Sequence, residues 1–132
     1  MTRLLDTHVL IWAIDSPDRL PEDILREVED AKNSPLLVSA ISFWEISKKH
    51  SLNKLELSLP IQKWLQNASE SSGLKVVPLS PEIAFESANL PGKFHKDPAD
   101  EIIVATARIL DATLITADKR IRKYRHVKTL WR

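Results

Sequence analysis

The sequence predicts an α/β domain, a three-layer α/β/α sandwich with a short, mostly parallel central sheet. Short apolar runs alternate along the chain with longer segments that carry helix start signals, a pattern typical of a parallel sheet covered by helices on both faces. The apolar runs are continuous, as expected of strands buried on both faces. The chain contains no internal repeat and no linker long enough to divide it, so we expect residues 1–132 to form a single domain.

Five short runs are predicted to be strands. They are Leu4-Leu5, which ends at Asp6, and residues 36–39, 75–79, 113–116 and 126–130. Helices are predicted between them, with the clearest start signals at Ser80-Pro81 and Asp97-Pro98, where a capping residue precedes a proline at the first helical position. The predicted helices cover about residues 8–14, 21–32, 42–50, 60–71, 80–91, 97–110 and 118–124.

The composition excludes several classes of site. The chain has no cysteine, which excludes disulfides, zinc–thiolate sites and thiol chemistry. Its only glycines are Gly73 and Gly92, so a glycine-rich phosphate loop cannot be built. The longest apolar run is too short to span a bilayer, and the N-terminus lacks the pattern of a secretory signal. We therefore expect a cytoplasmic protein with no membrane partner.

Charge is distributed unevenly along the chain. Residues 119–132 hold seven of the nineteen lysines and arginines and no acid. The first 118 residues carry the other twelve basic and all eighteen acidic side chains, a net charge of −6. The basic tail could attract phosphate groups, or it could be a solvated surface helix and edge strand.

Four acids lie next to the predicted strands. Asp6 ends the first strand, Glu45 follows the second, Asp100 lies at the start of the helix before the fourth, and Asp118 follows the fourth. In open α/β sheets, ligands bind beyond the carboxyl ends of the strands. The sequence therefore places four carboxylates where a site is expected.

Each of these acids also lies near a predicted helix start, where it could act as a cap. Asp6 and Asp118 could cap the helices that follow them, and an acid in a first turn suits the helix dipole. Ser42 with Glu45 fits a capping box, and Asp97 before a proline fits an N-cap. Taken singly, each acid favours the capping interpretation.

The set of four favours a metal site instead. Serine, threonine or asparagine could cap these helices without introducing charge, whereas four gathered carboxylates repel one another and raise each other's pKa. A divalent cation removes that conflict, and oxygen ligands suit Mg²⁺ or Mn²⁺. Such ions could clamp a phosphodiester and activate water for in-line attack.

Four motifs occur in an order that resembles a known family. LLDTHVLIW, SAISFWEISKK, HKDPADEIIVATARIL and LITADKRI together resemble the PIN domain, and more narrowly the VapC-like ribonuclease toxins of type II toxin–antitoxin pairs. The resemblance spans Leu4 to Trp131. It implies a Mg²⁺- or Mn²⁺-dependent endoribonuclease with an RNA substrate such as tRNA or rRNA, usually a homodimer and neutralised by a cognate antitoxin.

The resemblance also implies which residues form the site. The family's acidic quartet maps onto Asp6, Glu45, Asp100 and Asp118, as catalytic residues and metal ligands. Thr116 corresponds to a hydroxyl position near the metal. Asp97 lies one turn before Asp100 and is interpreted first as a helix cap and second as an accessory of the metal site.

One position departs from the family pattern. Many members carry a basic residue directly after the third acid, where this chain has Glu101. The extra negative charge would affect substrate contacts at that point. All four expected ligands are still present. We interpret Glu101 as a solvent-facing acid in the first turn of its helix.

Basic and aromatic side chains near the acids suggest further roles. Basic residues directly after Asp118 or one turn after Glu45 could hold the RNA backbone or meet an acidic antitoxin segment; they are Lys119, Arg120, Arg122, Lys123, Lys48 and Lys49. Trp12, Trp44 and Trp64 occupy apolar helical contexts and are predicted to pack. The histidines show no metal-ligand spacing.

Two other function classes remain open on the residues alone. The chain could be a catalytically silent PIN-like module that only binds RNA or protein, although the complete acidic quartet argues against it. It could also be a metal-dependent phosphoesterase that acts on DNA or on a small phosphate ester.

Overall fold

A single parallel sheet forms the centre of the protein in a computed structural model, which describes residues 1–132 apart from the side chain of Lys32. Its strands are β1 (Arg3–Leu5), β2 (Leu36–Ser39), β3 (Leu74–Val77), β4 (Thr113–Ile115) and β5 (Thr129–Leu130). They lie in the order β3-β2-β1-β4-β5, and each neighbouring pair is parallel. The predicted α/β class is confirmed.

Helices connect the strands at nearly the predicted places. They are α1 (Thr7–Asp15), α2 (Glu22–Glu29), α3 (Ala40–Ser51), α4 (Ile61–Ser69), α5 (Pro81–Ser87), α6 (Pro98–Ile109) and α7 (Lys119–Arg122). The third strand begins one residue earlier than predicted and ends before Pro78, which has no N–H to donate to a ladder. None of the helices among the described residues is long and apolar enough to cross a membrane.

The two faces of the sheet bury separate hydrophobic cores. Leu4 of β1 and Leu114 of β4 pack on one face, together with Ile103 of α6. The next residue on each strand, Leu5 and Ile115, packs on the opposite face. Because successive strand residues point to opposite faces, these continuous apolar strands need helices on both sides. The predicted three-layer arrangement is confirmed.

The tryptophans follow the prediction only in part. Trp64 of α4 is buried, and Trp12 of α1 is partly buried against the same core. Trp44 of α3 is 52% exposed, so its predicted packing is wrong. Ser42 and Ile46, one helical turn apart, are the buried residues of α3, and the side chain midway between them points to solvent.

Strand order determines where a ligand could bind. The chain moves from β1 outward through β2 and β3, and it then returns to the other side of β1 to form β4 and β5. The direction of winding therefore reverses between β1 and β4. In parallel sheets of this kind, a crevice opens at that reversal, outside the carboxyl ends of the strands.

A buried arginine ties β1 to the helical layer. Arg3 is 3% exposed. Its guanidinium donates to the Glu27 carbonyl at 3.1 Å, to the Glu27 carboxylate and to the Ser34 carbonyl. These bonds fasten the central strand to the end of α2 and to the segment that leads into β2.

We expect Arg3→Met to lower the free energy of unfolding by about 3 kcal/mol, because it removes every donor that Arg3 gives to Glu27 and Ser34. Arg26→Met is the matched control. Arg26 pairs with Glu22 and Asp23 on the exposed face of α2, and its loss should leave stability unchanged. Urea denaturation followed by tryptophan fluorescence measures both, and equal losses would contradict the structural role of Arg3.

Candidate metal centre

An acid-lined pocket opens where the winding reverses, at the carboxyl ends of β1 and β4. Its volume is about 120 Å³. The structure brings all four acids of the predicted quartet into its wall, together with Asp97. The remaining lining residues are Thr7, His8, Lys49 and Arg120. We call this the acid pocket.

Asp6 is the most buried acid of the pocket, with 3% exposure. One carboxylate oxygen accepts from the Thr7 N–H at 2.8 Å and so caps α1. The other accepts the Thr116 hydroxyl at 2.6 Å, in a bond that crosses from the end of β1 to the end of β4. Because a carboxylate oxygen has two lone pairs, capping leaves acceptor capacity for a ligand.

Thr116 joins Asp6 to Asp118. The same hydroxyl oxygen that donates to Asp6 accepts the Asp118 N–H at 3.0 Å. Asp118 in turn caps α7, accepting from the N–H groups of Arg120 at 2.8 Å and Ile121 at 3.3 Å. Partial burial raises the pKa of Asp118, but these donors and the Arg120 guanidinium outweigh it and leave the pKa below its usual value. Asp118 is therefore ionised at neutral pH.

Asp97 and Asp100 enter the pocket from the start of α6. Asp97 is the N-cap and accepts the Asp100 N–H at 3.0 Å, with Pro98 at the first helical position as predicted. Asp97, Asp100 and Glu45 each offer a carboxylate oxygen, and the three oxygens lie within 4.8 Å of one another. Asp97 is thus the predicted helix cap and also contributes an oxygen to this acid cluster.

Glu45 supplies an oxygen that lacks a partner. Its Oε1 is buried and accepts no hydrogen bond from the described residues, whereas Oε2 lies 3.3 Å from Lys49 Nζ. An unsatisfied buried acceptor is costly. Together with the neighbouring carboxylates it forms a hard oxygen donor set, which fits Mg²⁺ or Mn²⁺.

The predicted capping box of Ser42 and Glu45 is wrong. The N-cap of α3 is Ser39, whose hydroxyl accepts the Ile41 N–H at 3.1 Å. The helix therefore begins before Ser42, which is buried and shares a 2.8 Å hydrogen bond with the Thr7 hydroxyl. Glu45 is left free of any capping role and projects into the pocket.

Burial and mutual repulsion raise the pKa of two pocket acids. Burial raises the pKa of Asp100 to about 6; a hydrogen bond from His95 opposes the shift, and the charges of Asp6, Asp97 and Glu45 add to it. Burial also raises the pKa of Asp6, against the opposing effects of His8, Thr116 and Thr7. A bound cation would relieve both shifts, since it favours the charged carboxylates.

Two histidines contact the acids although their sequence spacing gave no such signal. His95 Nε2 lies 2.6 Å from Asp100 Oδ2. His8 Nε2 accepts the Ala117 N–H at 3.1 Å, which leaves Nδ1 facing Asp6 Oδ2 at 3.5 Å. A histidine two residues after the first acid was the one available hint for His8.

Of the predicted substrate-binding cations, two line the pocket. The Arg120 guanidinium lies 3.6 Å from Asp118 Oδ2 and 3.9 Å from Asp100 Oδ2, and Lys49 lies beside Glu45. The others are exposed and outside its wall: Lys48, Lys119, Arg122 and Lys123. Glu101 also lies outside the wall, in the first turn of α6.

The raised pKa of Asp100 predicts a pH-dependent stability. Its pKa moves from 3.8 to about 6 on folding, so the folded protein loses stability as pH rises through that interval. In chelator, Asp100→Asn should therefore raise the free energy of unfolding at pH 7.5 by about 1–3 kcal/mol and give no gain at pH 4.

Asp118→Asn is the control, and its effect on the free energy of unfolding at pH 7.5 should have the opposite sign. Because folding lowers the pKa of Asp118, the ionised carboxylate stabilises the fold at any pH above its pKa in the unfolded chain. Urea denaturation at pH 4 and pH 7.5 compares the two variants. Shifts in the same direction at pH 7.5 would contradict this account of the pocket's electrostatics.

Comparison with known proteins identifies the family of the chain. The family model of the PIN domain matches residues 3–127. The curated protein Ribonuclease VapC22 of Mycobacterium tuberculosis is 36% identical in an alignment 132 positions long, which covers 98% of each chain.

Solved structures share the fold. VapBC2 from Rickettsia felis, bound to a DNA fragment from their promoter, gives a TM-score of 0.72 at 21% identity, with 100% of both chains covered. DNA-bound VapBC from Salmonella typhimurium gives a TM-score of 0.70 at 18% identity, covering 98% of this chain and 97% of that one. At these identities the solved structures support the fold alone. The family model and the relative from M. tuberculosis support the family assignment. The chain belongs to the PIN-domain family.

Proposed function

We propose that the chain is a Mg²⁺- or Mn²⁺-dependent endoribonuclease and the toxin of a type II toxin–antitoxin pair. The observation that carries the proposal is the acid pocket, in which five carboxylates meet and one buried Glu45 oxygen has no partner among the described residues. The ribonuclease name of the relative from M. tuberculosis supports RNA as the substrate. The structural similarity to a toxin–antitoxin complex from Klebsiella pneumoniae supports a protein antitoxin as the partner.

Four acids of the pocket are suited to hold the ion. Asp97, Asp100 and Glu45 form the closest set of oxygens, and Asp6 is fixed beside them by its hydrogen bonds to Thr7 and Thr116. When bound, a divalent ion polarises the phosphodiester and lowers the pKa of water.

The other pocket residues have distinct tasks. Asp118 stays ionised, so it can accept a hydrogen bond from the attacking water and orient it. Thr116 holds Asp118 and Asp6 in a fixed relation through its two hydrogen bonds. Arg120 and Lys49, which neutralise acids in this structure, are the cations within reach of a phosphate at the pocket. In this proposal each chain folds as a single domain, and two chains form a homodimer.

We expect discrete cuts in a panel of tRNA and rRNA with Mg²⁺ or Mn²⁺, and none with a chelator. Asp6→Asn and Asp100→Asn should each reduce the cleavage rate by at least about 100-fold, because each removes a charged ligand. Glu82→Gln is the matched control, since Glu82 is also an acid in the first turn of a helix but is exposed and lies outside the pocket wall, and it should cleave normally.

Thermal unfolding with and without Mn²⁺ gives an independent readout. The ion should raise the melting temperature of the native chain and of Glu82→Gln, and it should raise that of Glu45→Gln much less. Stabilisation without cleavage across the panel would instead favour a binding module or an enzyme for another phosphate ester.

Thr116 provides a second test, directed at positioning. We expect Thr116→Val to lower the cleavage rate by about 10–100-fold, because it removes the donor to Asp6 and the acceptor for Asp118 while keeping the shape of the side chain. Thr116→Ser should restore most of the rate. A serine variant as slow as the valine variant would show that the methyl group, and not the hydroxyl, matters.

A further inference from the structure

His8 lies between the ends of three strands at the acid pocket. It is the second residue of α1, which starts directly after Asp6, and it lines the pocket wall. Its Nε2 accepts the Ala117 N–H at 3.1 Å. Ala117 is the middle residue of the turn between β4 and α7, residues 116–118, which we call the β4–α7 turn. A side chain of α1 therefore holds the backbone of the turn that carries two of the predicted site residues.

Both ring nitrogens of His8 are committed to groups of the protein. Because Nε2 accepts a hydrogen bond, it carries no proton, and the proton of the neutral imidazole is on Nδ1. Nδ1 lies 3.5 Å from Asp6 Oδ2, the oxygen that also accepts the Thr116 hydroxyl. Neither nitrogen is left for an atom of a substrate. The ring is therefore arranged to hold two parts of the site together.

Two tryptophans fix the orientation of the His8 ring. Trp12, one helical turn further along α1, lies with its ring centroid 5.1 Å from that of His8, at an interplanar angle of 68°. Trp131, which directly follows β5, lies 6.3 Å away at 67°, and the two indoles are 6.0 Å apart. The Arg19 guanidinium lies over the Trp12 ring, 4.3 Å from its centroid. Edge-to-face packing of this kind favours one ring orientation, so the direction of Nε2 is set by its neighbours.

The backbone N–H groups of the β4–α7 turn are all bonded. The Thr116 N–H donates to the Leu130 carbonyl of β5 at 3.3 Å. The Asp118 N–H donates to the Thr116 hydroxyl oxygen at 3.0 Å. Ala117 donates to His8, so the middle of the turn depends on a side chain from another element. Without that acceptor, one N–H of the turn loses its partner while the other two bonds remain.

We propose that His8 is a positioning residue, which fixes the β4–α7 turn so that the Asp118 carboxylate keeps its place relative to Asp6. The proposal rests on the proposed function and deepens it, because it adds a residue that acts through the Ala117 N–H and not on the substrate. Trp12 and Trp131 support this role by holding the ring. The competing role for His8 is proton exchange with the substrate or the attacking water, and the two roles respond differently to substitution.

Glutamine and asparagine separate the two nitrogens of His8. The side-chain oxygen of glutamine reaches about as far as Nε2, whereas the amide of asparagine ends near the position of Nδ1. His8→Gln should therefore keep the bond to Ala117 and most of the cleavage rate. His8→Asn should lose that bond and lower kcat by about 10–100-fold with little change in KM. His50→Gln is the matched control, because His50 lies in the last turn of α3 and outside the pocket wall, and it should cleave normally.

Amide hydrogen exchange, followed by NMR in the metal-free chain, measures the hydrogen bond without any cleavage. The Ala117 N–H should exchange about tenfold faster in His8→Asn than in the native chain or in His8→Gln. The amide of Ile103, in the buried part of α6, is the reference for the intact fold. Equal exchange of Ala117 in all three chains would overturn the proposal. An equal acceleration at Ile103 would also overturn it, since His8 would then only stabilise the whole fold.

The kinetics separate positioning from proton exchange. Glutamine cannot carry a proton between groups as an imidazole can. If His8→Gln keeps the Ala117 N–H protected but loses as much kcat as His8→Asn, the ring takes part in proton exchange and the positioning role is wrong.

The two proposals can fail independently. A chain that cuts no RNA, but shows faster Ala117 exchange in His8→Asn alone, would keep the role of His8 in holding the turn and lose the nuclease. A chain that cuts RNA with native kcat in His8→Asn would keep the nuclease and lose the positioning role.

Discussion

The buried carboxylate of Asp6 is the constraint on which the rest of the site depends. It lies where the winding of the sheet reverses, and burial raises its pKa. Its two oxygens are held by the Thr7 N–H and the Thr116 hydroxyl, so its position is set by β1 and β4 together. A buried charge is tolerated only when such partners are present. The fold therefore fixes how close the acids of α3 and of the start of α6 lie to the Asp6 carboxylate. The repulsion among these carboxylates follows from that arrangement.

Helix capping and ion binding are compatible functions in this pocket. Asp6, Asp97 and Asp118 each cap a helix, and each also lines the acid pocket. Helices that follow parallel strands, such as α1 and α7, begin at the carboxyl edge of the sheet, and α6, which leads into β4, begins there too. Their N-termini therefore lie at the place where the ligand crevice lies. The positive ends of those helix dipoles favour negative charge there. A capping acid in this fold is thus already positioned for chemistry, and a cap assignment does not exclude a site.

The sequence predicted the sheet and the four acids because both depend on local signals. Continuous apolar strands and the Asp97-Pro98 helix start are readable within a few residues, and both agree with the structure. The wrong predictions were those that depended on how helices pack in three dimensions. The start of α3 at Ala40 removed Ser42 from the cap, and the direction that Trp44 faces depends on which side of α3 is buried. The contact of His95 with Asp100, and the membership of Asp97 in the tightest cluster, depend on the exact course of the loop before α6.

The uneven charge of the sequence brings a basic segment next to the acid pocket in the fold. The last strand, β5, pairs with β4, and this pairing folds the basic C-terminal segment back beside the acids. Most cations of that segment remain in solvent, but Arg120 turns toward Asp118 and Asp100 and lines the acid pocket. A cation bound by Asp100 would compete with Arg120 for the same carboxylate and leave the Arg120 guanidinium freer to meet a phosphate at the pocket. The charge state of the acid pocket is thereby coupled, through one side chain, to a cation that can meet the phosphate of the substrate.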